Sequence, residues 1–549
     1  MCLWPRKMRE VPELTARVAR AAFPHGSLAI RTRDAIGELF SDGDLADLFA
    51  KRGHPALSPA RLAMVSVLQF AENLTDRQAA DAVRARVDWK YALAMELEDP
   101  GFDHSVLCEF RSRLVEDQDG ERLLNLMLEK LREHDLLKAG GRARTDSTRV
   151  LAAVRTLNRL ELITETLRAA LEALAITAPE WLEALAPAEW YDRYERRVDA
   201  FRLPVGDAAR TEYAVTVGTD GFLLLEAVWA AQAPEWLREI PRLKILRQVW
   251  VQHFLREDGK ILWRRDKELP PGRVLIRSPF DPEARASVKR EARWTGYKIH
   301  LTENCEPDAP HIVTYVATTH STTTDVEATA DVHASLDQRE LLPDVHLVDT
   351  GYTSADLMVD SPREYGIELL GPVHTPTTRQ TKENKGFDLP NFTIDWENEQ
   401  VTCPRGAKSM RWHPAVRGGY NVIETAFSRK DCGPCPVRVD CTNSPARGMT
   451  FHPRETHEAL VKARAAQITP EWQERYKHRA GIEGTISQGV LRCGMRRTRY
   501  IGLRKTHLQH VLTACAINLA RVDAWQTGIP LGPTRVSHFA RLRPPSPNP

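Results

Sequence analysis

The sequence lacks a hydrophobic run long enough to cross a membrane. Its most apolar stretch, Phe222 to Pro234, is short and carries Glu226, whereas a spanning helix needs about 20 predominantly apolar residues. The opening segment MCLWPRKMREVPELT has no apolar centre of the kind a secretory signal carries, so the chain reads as cytoplasmic with no membrane partner. An excess of one charge is also missing: 76 Lys and Arg stand against 74 Asp and Glu, a net +2 over 549 residues. Any surface for a polyanion must therefore be local. Nine cysteines, an odd number and mostly scattered, argue against a disulfide framework. No Walker loop, GxGxxG or HExxH occurs, which leaves nucleotide-driven and zinc-protease chemistry without support.

What is present divides the chain into segments. A length of 549 residues suits about three domains. Residues 25–137 read as helical. In PARLAMVSVLQFAENL, Ser58 stands before Pro59 as a cap and first-turn residue, and Leu62, Val65, Leu68 and Gln69 follow with helical spacing. Asn73 to Asp76 interrupts the pattern, and DRQAADAVRARV and HSVLCEFRSRLVE resume it. Two readings fit this succession. One is a DNA-binding helix-turn-helix, separable from the rest, with Arg84, Arg86, Lys90, Arg111 and Arg113 reaching phosphates. The other is a plain helical bundle with a solvated charged face.

Residues 155–270 form a further helical block whose Leu and Trp residues recur at helical spacing and read as packing. From Arg285 to Val373 β-branched and aromatic strands alternate with helical patterns, so a mixed α/β sheet is expected there. Residues 375–450 are rich in Pro, Gly and Trp and hold Cys403, Cys432, Cys435 and Cys441. A CxxC with two further cysteines fits structural Zn²⁺, or else unliganded buried thiols. Residues 526–549 read as a disordered tail.

Three acidic segments carry the chemistry. The apolar run Val345-His346-Leu347-Val348 ends at Asp349, before Thr350-Gly351-Tyr352 and a helical pattern that Ser354 caps. A carboxylate at the end of a buried strand stands where α/β sheets bind ligands. Asp146 lies in Thr145-Asp146-Ser147-Thr148, a stretch too polar to declare itself a strand, and Glu483 lies in EWQERYKHRAGIEGTISQGV. Three carboxylates form a donor set suited to Mg²⁺, with Mn²⁺ able to substitute. Arg492, Arg496, Arg497, Arg499, Arg504 and Lys505 follow as a basic run, either a phosphate track or a solvated face. Lys289, Arg290, Arg293 and Lys298 make a weaker second candidate. Trp294 beside them reads as core, with stacking on a flipped base as the alternative.

Taken in order, these segments resemble the DDE-type transposases of bacterial insertion sequences. Asp146-Ser147-Thr148 matches the family's D-x-T on the first strand, and Asp349-Thr350-Gly351-Tyr352 matches its D-x-G-[YF] after the fourth. Tyr476, Arg479 and Glu483 match Y-x2-R-x3-E, while Val490 stands where the family has lysine. The resemblance implies an RNase H-like catalytic domain over 140–525, carrying the helical insert (155–270) and the Cys-rich insert (375–450), behind an N-terminal all-α domain that binds DNA ends. It implies Asp146, Asp349 and Glu483 as catalytic metal ligands, and Tyr476 and Arg479 as DNA contacts. It also implies cleavage at terminal inverted repeats, strand transfer into target DNA, and a homodimer on paired ends. A silent DNA-binding repressor and a nuclease without strand transfer are the alternatives.

Overall fold

A computed structural model describes residues 2–529 except 4, 6–9, 118, 119, 200, 202 and 290, together with 539 and 542. Arg290 and most of the segment expected as a disordered tail lie outside the described residues.

A mixed, twisted sheet stands at the centre. Its strands are β1 (Arg142–Leu151), β2 (Arg285–Lys289), β3 (Ala292–Asn304), β4 (Val313–His320), β5 (Val345–Leu347) and β6 (Glu368–Leu370). The lateral order is β4-β3-β1-β5-β6, with β2 pairing the outer end of β3. β3 is antiparallel to β1 and β4, whereas β1, β5 and β6 run parallel. The strand at the middle of this sheet is the polar segment that does not look like one. β1 is nonetheless buried along most of its length, because its polar side chains find buried partners. Thr145 Oγ1 lies 2.6 Å from Thr302 Oγ1 and 2.6 Å from His346 Nε2, and Arg144 donates to Glu303 at 2.7 Å. Polar burial is tolerated where hydrogen bonds are complete.

The N-terminal region is helical from Glu13 to Glu133. Ser58 caps the helix Pro59–Ala71, and Thr75 forms a capping box with Gln78 at the start of Asp76–Ala85. Beyond a small cluster of Ala19, Ile30 and Tyr91, this region shares its core with the rest of the chain. Val65, Leu68, Leu107 and Leu124 share one continuous core with Tyr297, Ile299 and Val316 of the sheet and with Val511, Leu512 and Ile517 of the last helix, Leu503–Gln526. That helix is buried almost without interruption from Thr506 to Val522, so it joins the N-terminal helices to the sheet. Much of its apolar surface thus closes against the sheet and the last helix. Its five candidate phosphate-binding cations are all engaged within the chain. Arg84 bonds Asp81, Arg86 bonds Asp88, and Lys90 bonds the Asp99 carbonyl. Arg111 bonds Asp76, and Arg113 bonds the Leu48 carbonyl.

The insert after β1 has its own core, in which Leu167, Leu224, Leu246 and Trp250 pack together. It is helical up to His253 but then forms the hairpin Phe254–Glu257 with Lys260–Trp263. The signal was Asp258-Gly259, both at positive φ, since Asp-Gly suits a tight hairpin turn. The Cys-rich segment folds on a three-stranded antiparallel sheet, Ser409–Arg417, Tyr420–Phe427 and Gly448–Phe451, over a small apolar core.

Candidate active site

The register of the sheet brings the first two acids together. β1 and β5 run parallel, and their last paired residues are Arg144 and Leu347. Asp146 and Asp349 each lie two positions further on. Side chains alternate along a strand with period two, so both carboxylates leave the sheet at adjacent points. Asp349 then closes a turn, its Oδ1 accepting the Gly351 N–H at 2.8 Å, and Ser354 caps the helix Ala355–Tyr365.

The third acid comes from the helix Gly481–Cys493, where Glu483 occupies the first turn. A fully buried charge cluster seats this helix on β1. Arg144 donates to Glu303 and, at 2.6 Å, to the His478 carbonyl just before the helix. Thr485, two residues beyond Glu483, donates to Glu303 at 2.5 Å, and Arg521 of the last helix bonds both Glu303 and Thr485. Burial opposes the Glu303 charge, yet Arg521 and Arg144 hold its carboxyl below the ordinary range. The approach is so close that a Cβ on Gly481 would meet Arg144 Nη1 at 1.9 Å, so any larger residue there would have to displace the Arg144 guanidinium from its bonds. Sequence reading missed Arg144, Glu303, Thr485 and Arg521. A buried acid held between two arginines far apart in the chain leaves no local pattern.

All three acids converge on one guanidinium. Arg479 Nη2 lies 2.6 Å from Asp146 Oδ2 and 3.9 Å from Asp349 Oδ2, and Nη1 lies 2.8 Å from Glu483 Oε1. The side chains of Arg479 and Asp146 are each 13% exposed, against 33% for Asp349 and 66% for Glu483. Burial raises the Asp146 carboxyl above its ordinary value, against the pull of Arg479. The Arg479 Nε–H is buried with no acceptor. Three carboxylates thus gather where a cation belongs, and the chain supplies that cation itself. Among the described residues no three His, Cys, Asp or Glu side chains stand ready to share a metal ion; at the acids, the guanidinium takes the intervening space. The donor set still fits a hard divalent cation, because it is carboxylate oxygen converging from three segments.

Beside the acids opens a groove of about 1010 Å³. It is lined by Asp146, by Glu483 and Val490 of the helix, and by Lys289 and Trp294 of the β2–β3 hairpin. Trp294 is 7% exposed, and its indole N–H bonds the Tyr297 carbonyl, so it is core that also borders the groove. Lys298 is tied to Asp325 at 2.9 Å, whereas Lys289 and Arg293 are exposed. Tyr476 stacks on Trp472, 4.7 Å between ring centres, and packs on Leu347 and Leu370 at the ends of the parallel strands.

The basic run that follows Glu483 is divided. Arg492 bonds the Ala71 carbonyl, Arg499 bonds the Leu74 carbonyl and lies 4.7 Å over the Phe70 ring, and Arg504 bonds the Asp117 carbonyl. Arg492, on the helix that bears Glu483, Arg499, in the connection after it, and Arg504, on the last helix, fasten these segments to the N-terminal helices. Arg496 bonds Thr148 at 3.1 Å and borders the groove, while Arg497 and Lys505 are exposed. Cys403, Cys432, Cys435 and Cys441 line one small cavity of about 230 Å³ in the Cys-rich segment, and all are free thiols. Burial, and then the neighbouring thiols, push the Cys441 thiol up.

Two family models match the chain. A transposase domain (DUF772) covers residues 17–113, the N-terminal helices. A transposase DDE domain covers residues 402–522, which include Glu483 and the four clustered cysteines but neither Asp146 nor Asp349. No curated protein matches the chain. Residues 17–113 and 402–522 are thus similar to transposase domains, in the order expected of the DDE-type transposases of insertion sequences.

Proposed function

We propose that the chain cleaves DNA at the ends of an insertion sequence and transfers the freed strand into target DNA, with Asp146, Asp349 and Glu483 as ligands of catalytic Mg²⁺. The observation that carries this reading is the convergence of three acids, drawn from segments more than a hundred residues apart, on the single Arg479 guanidinium. An RNase H-like core is supported by the strand order β4-β3-β1-β5-β6 with β3 antiparallel to its neighbours. When bound, a pair of divalent ions activates the attacking oxygen and stabilises the leaving one in phosphodiester chemistry. The acids hold the charge that such ions need. Arg479, freed from them, is placed to bind the phosphate at the cleavage point, with Tyr476 alongside. Lys289 and Arg496, at the groove, are proposed as phosphate contacts, and Arg497 and Lys505 as exposed contacts further out. The DNA partners are the terminal repeats and the target, the acting form is a homodimer holding paired ends, and the compartment is the cytoplasm, in keeping with nine free cysteines. The four thiols that share one cavity are proposed to hold a structural Zn²⁺. Metal analysis of the purified protein should find about one zinc per chain, and a zinc-free protein of unchanged stability would remove that assignment.

The principal test compares wild type with Asp349→Ala on duplexes bearing the terminal repeats. With Mg²⁺, wild type should nick, while the variant should still bind the repeats and not nick. Binding does not weaken, because removing a carboxylate reduces repulsion of DNA phosphates. Nicking by Asp349→Ala would refute the assigned site.

A further inference from the structure

A fourth carboxylate lies behind the three and touches the segments that carry two of them. Asp325 is the first residue of the helix Asp325–Gln338, whose start is fixed by a Thr324–Glu327 capping box. Its Oδ1 accepts the Ser147 hydroxyl at 3.0 Å and the Lys298 ammonium at 2.9 Å, and Lys298 is held further by the Thr323 carbonyl at 2.7 Å. Its Oδ2 lies on the other side, against Gly351. A Cβ built on Gly351 would stand 3.2 Å from Asp325 Oδ2 and 3.1 Å from Asp349 Oδ1. One side chain thus bonds the residue after Asp146 and packs against the turn that orients Asp349. The surroundings leave it little room to move, since its side chain is 16% exposed, like that of Lys298 at 15%. Of the other groups around it, His300 lies 4.0 Å away with its ring bonded to the Tyr352 hydroxyl at 2.7 Å. Burial, the largest influence, keeps that imidazole neutral, lowering it to about 4, so the charge on Asp325 is balanced by Lys298.

We propose that Asp325 is a positioning residue of the acid site, setting the separation of Asp146 from Asp349 through Ser147 and Gly351. This rests on the metal-dependent reading above. A carboxylate already paired with a buried lysine does not serve as a free ligand. What it does is hold two ligand-bearing segments at one spacing. Mg²⁺ demands near-ideal octahedral geometry, and removing a group that orients metal ligands typically loosens metal binding by about 10–100-fold.

The test measures Mn²⁺ binding to the purified full-length protein by electron paramagnetic resonance of the free ion, without DNA. Asp325→Ala, measured where it is folded, is expected to raise the dissociation constant by about 10–100-fold, with repeat binding close to wild type and a lowered thermal midpoint because Lys298 loses its partner. Ser147→Ala removes the hydroxyl link but leaves the Asp325–Lys298 pair, and should produce a smaller loss in the same direction. Wild-type Mn²⁺ affinity in Asp325→Ala would overturn the proposal. So would a loss of Mn²⁺ binding that appears only together with unfolding in Asp325→Ala and not at all in a folded Ser147→Ala. If Asp349→Ala binds Mn²⁺ as wild type does, the metal reading itself fails, an outcome distinct from either.

Discussion

Arg479 shows how much one residue can carry. Its pairing with Glu483 was legible, because residues four apart on a helix are neighbours. Its 2.6 Å bond to Asp146, 333 positions away in sequence, was not. In the folded chain this guanidinium neutralises acids that would otherwise repel one another, so it competes with any metal ion for them. Arg479→Gln keeps hydrogen-bonding capacity but removes the internal cation. It should bind Mn²⁺ about tenfold more tightly, equivalent to about 1.4 kcal/mol, by the same resonance titration. Repeat nicking should fall by about a hundredfold, as when one donor to a reacting phosphate is removed. Tighter ion binding together with weaker nicking would separate this role from that of a plain structural ion pair, whose loss would weaken both.

At the level of elements, the helix that bears Glu483 is positioned from below. Arg144, Glu303, Thr485 and Arg521 fix its first turns on β1, and Gly481 provides the clearance. Gly481→Ala would force the helix start away from Arg144, whose side chain is only 7% exposed. Overpacking of this kind costs about 1–3 kcal/mol, measurable by urea unfolding, and nicking should drop more than repeat binding because Glu483 moves with the helix. A Gly481→Ala protein of unchanged stability and activity would show that the helix start is not confined. The caps at Ser58 and Ser354 could be read from sequence because a cap acts within one turn. β1 could not, because its polar residues suit burial only once Thr302, Glu303 and His346 arrive from distant segments. The hairpin at 254–263 carried a readable Asp-Gly turn inside a block dominated by helical periodicity.

For the whole molecule, the arrangement of apolar faces decides what folds alone. The N-terminal helices, β3, β4 and the last helix close a single core. A fragment ending near residue 137 would expose Val65, Leu68 and Leu124 to water and lose the anchors from Arg492, Arg499 and Arg504. Such a fragment is expected to show no cooperative thermal transition by circular dichroism. A sharp transition, with repeat binding at full-length affinity, would mean that this region folds and recognises DNA without the shared core. The same core fixes the N-terminal helices relative to the sheet that carries Asp146.

The sequence by itself determined whatever depends on neighbours along the chain. That includes the helical N-terminal region, the alternation of strands and helices after Arg285, the caps, the three acidic motifs in order, and the clustering of four cysteines. Each is a local signal of period, turn chemistry or spacing, and local signals survive without a fold. Tertiary structure alone decided that the acids meet at Arg479 and that Asp325 spans two of them. It also decided that half of the basic run fastens helices together, and that the main core of the N-terminal region is shared with the sheet and the last helix. Those outcomes depend on the parallel register of β1 with β5 and on buried charges finding partners across one to four hundred residues. No pattern in the linear chain encodes a distance of that kind; it is set when the apolar faces close and each buried charge requires its partner.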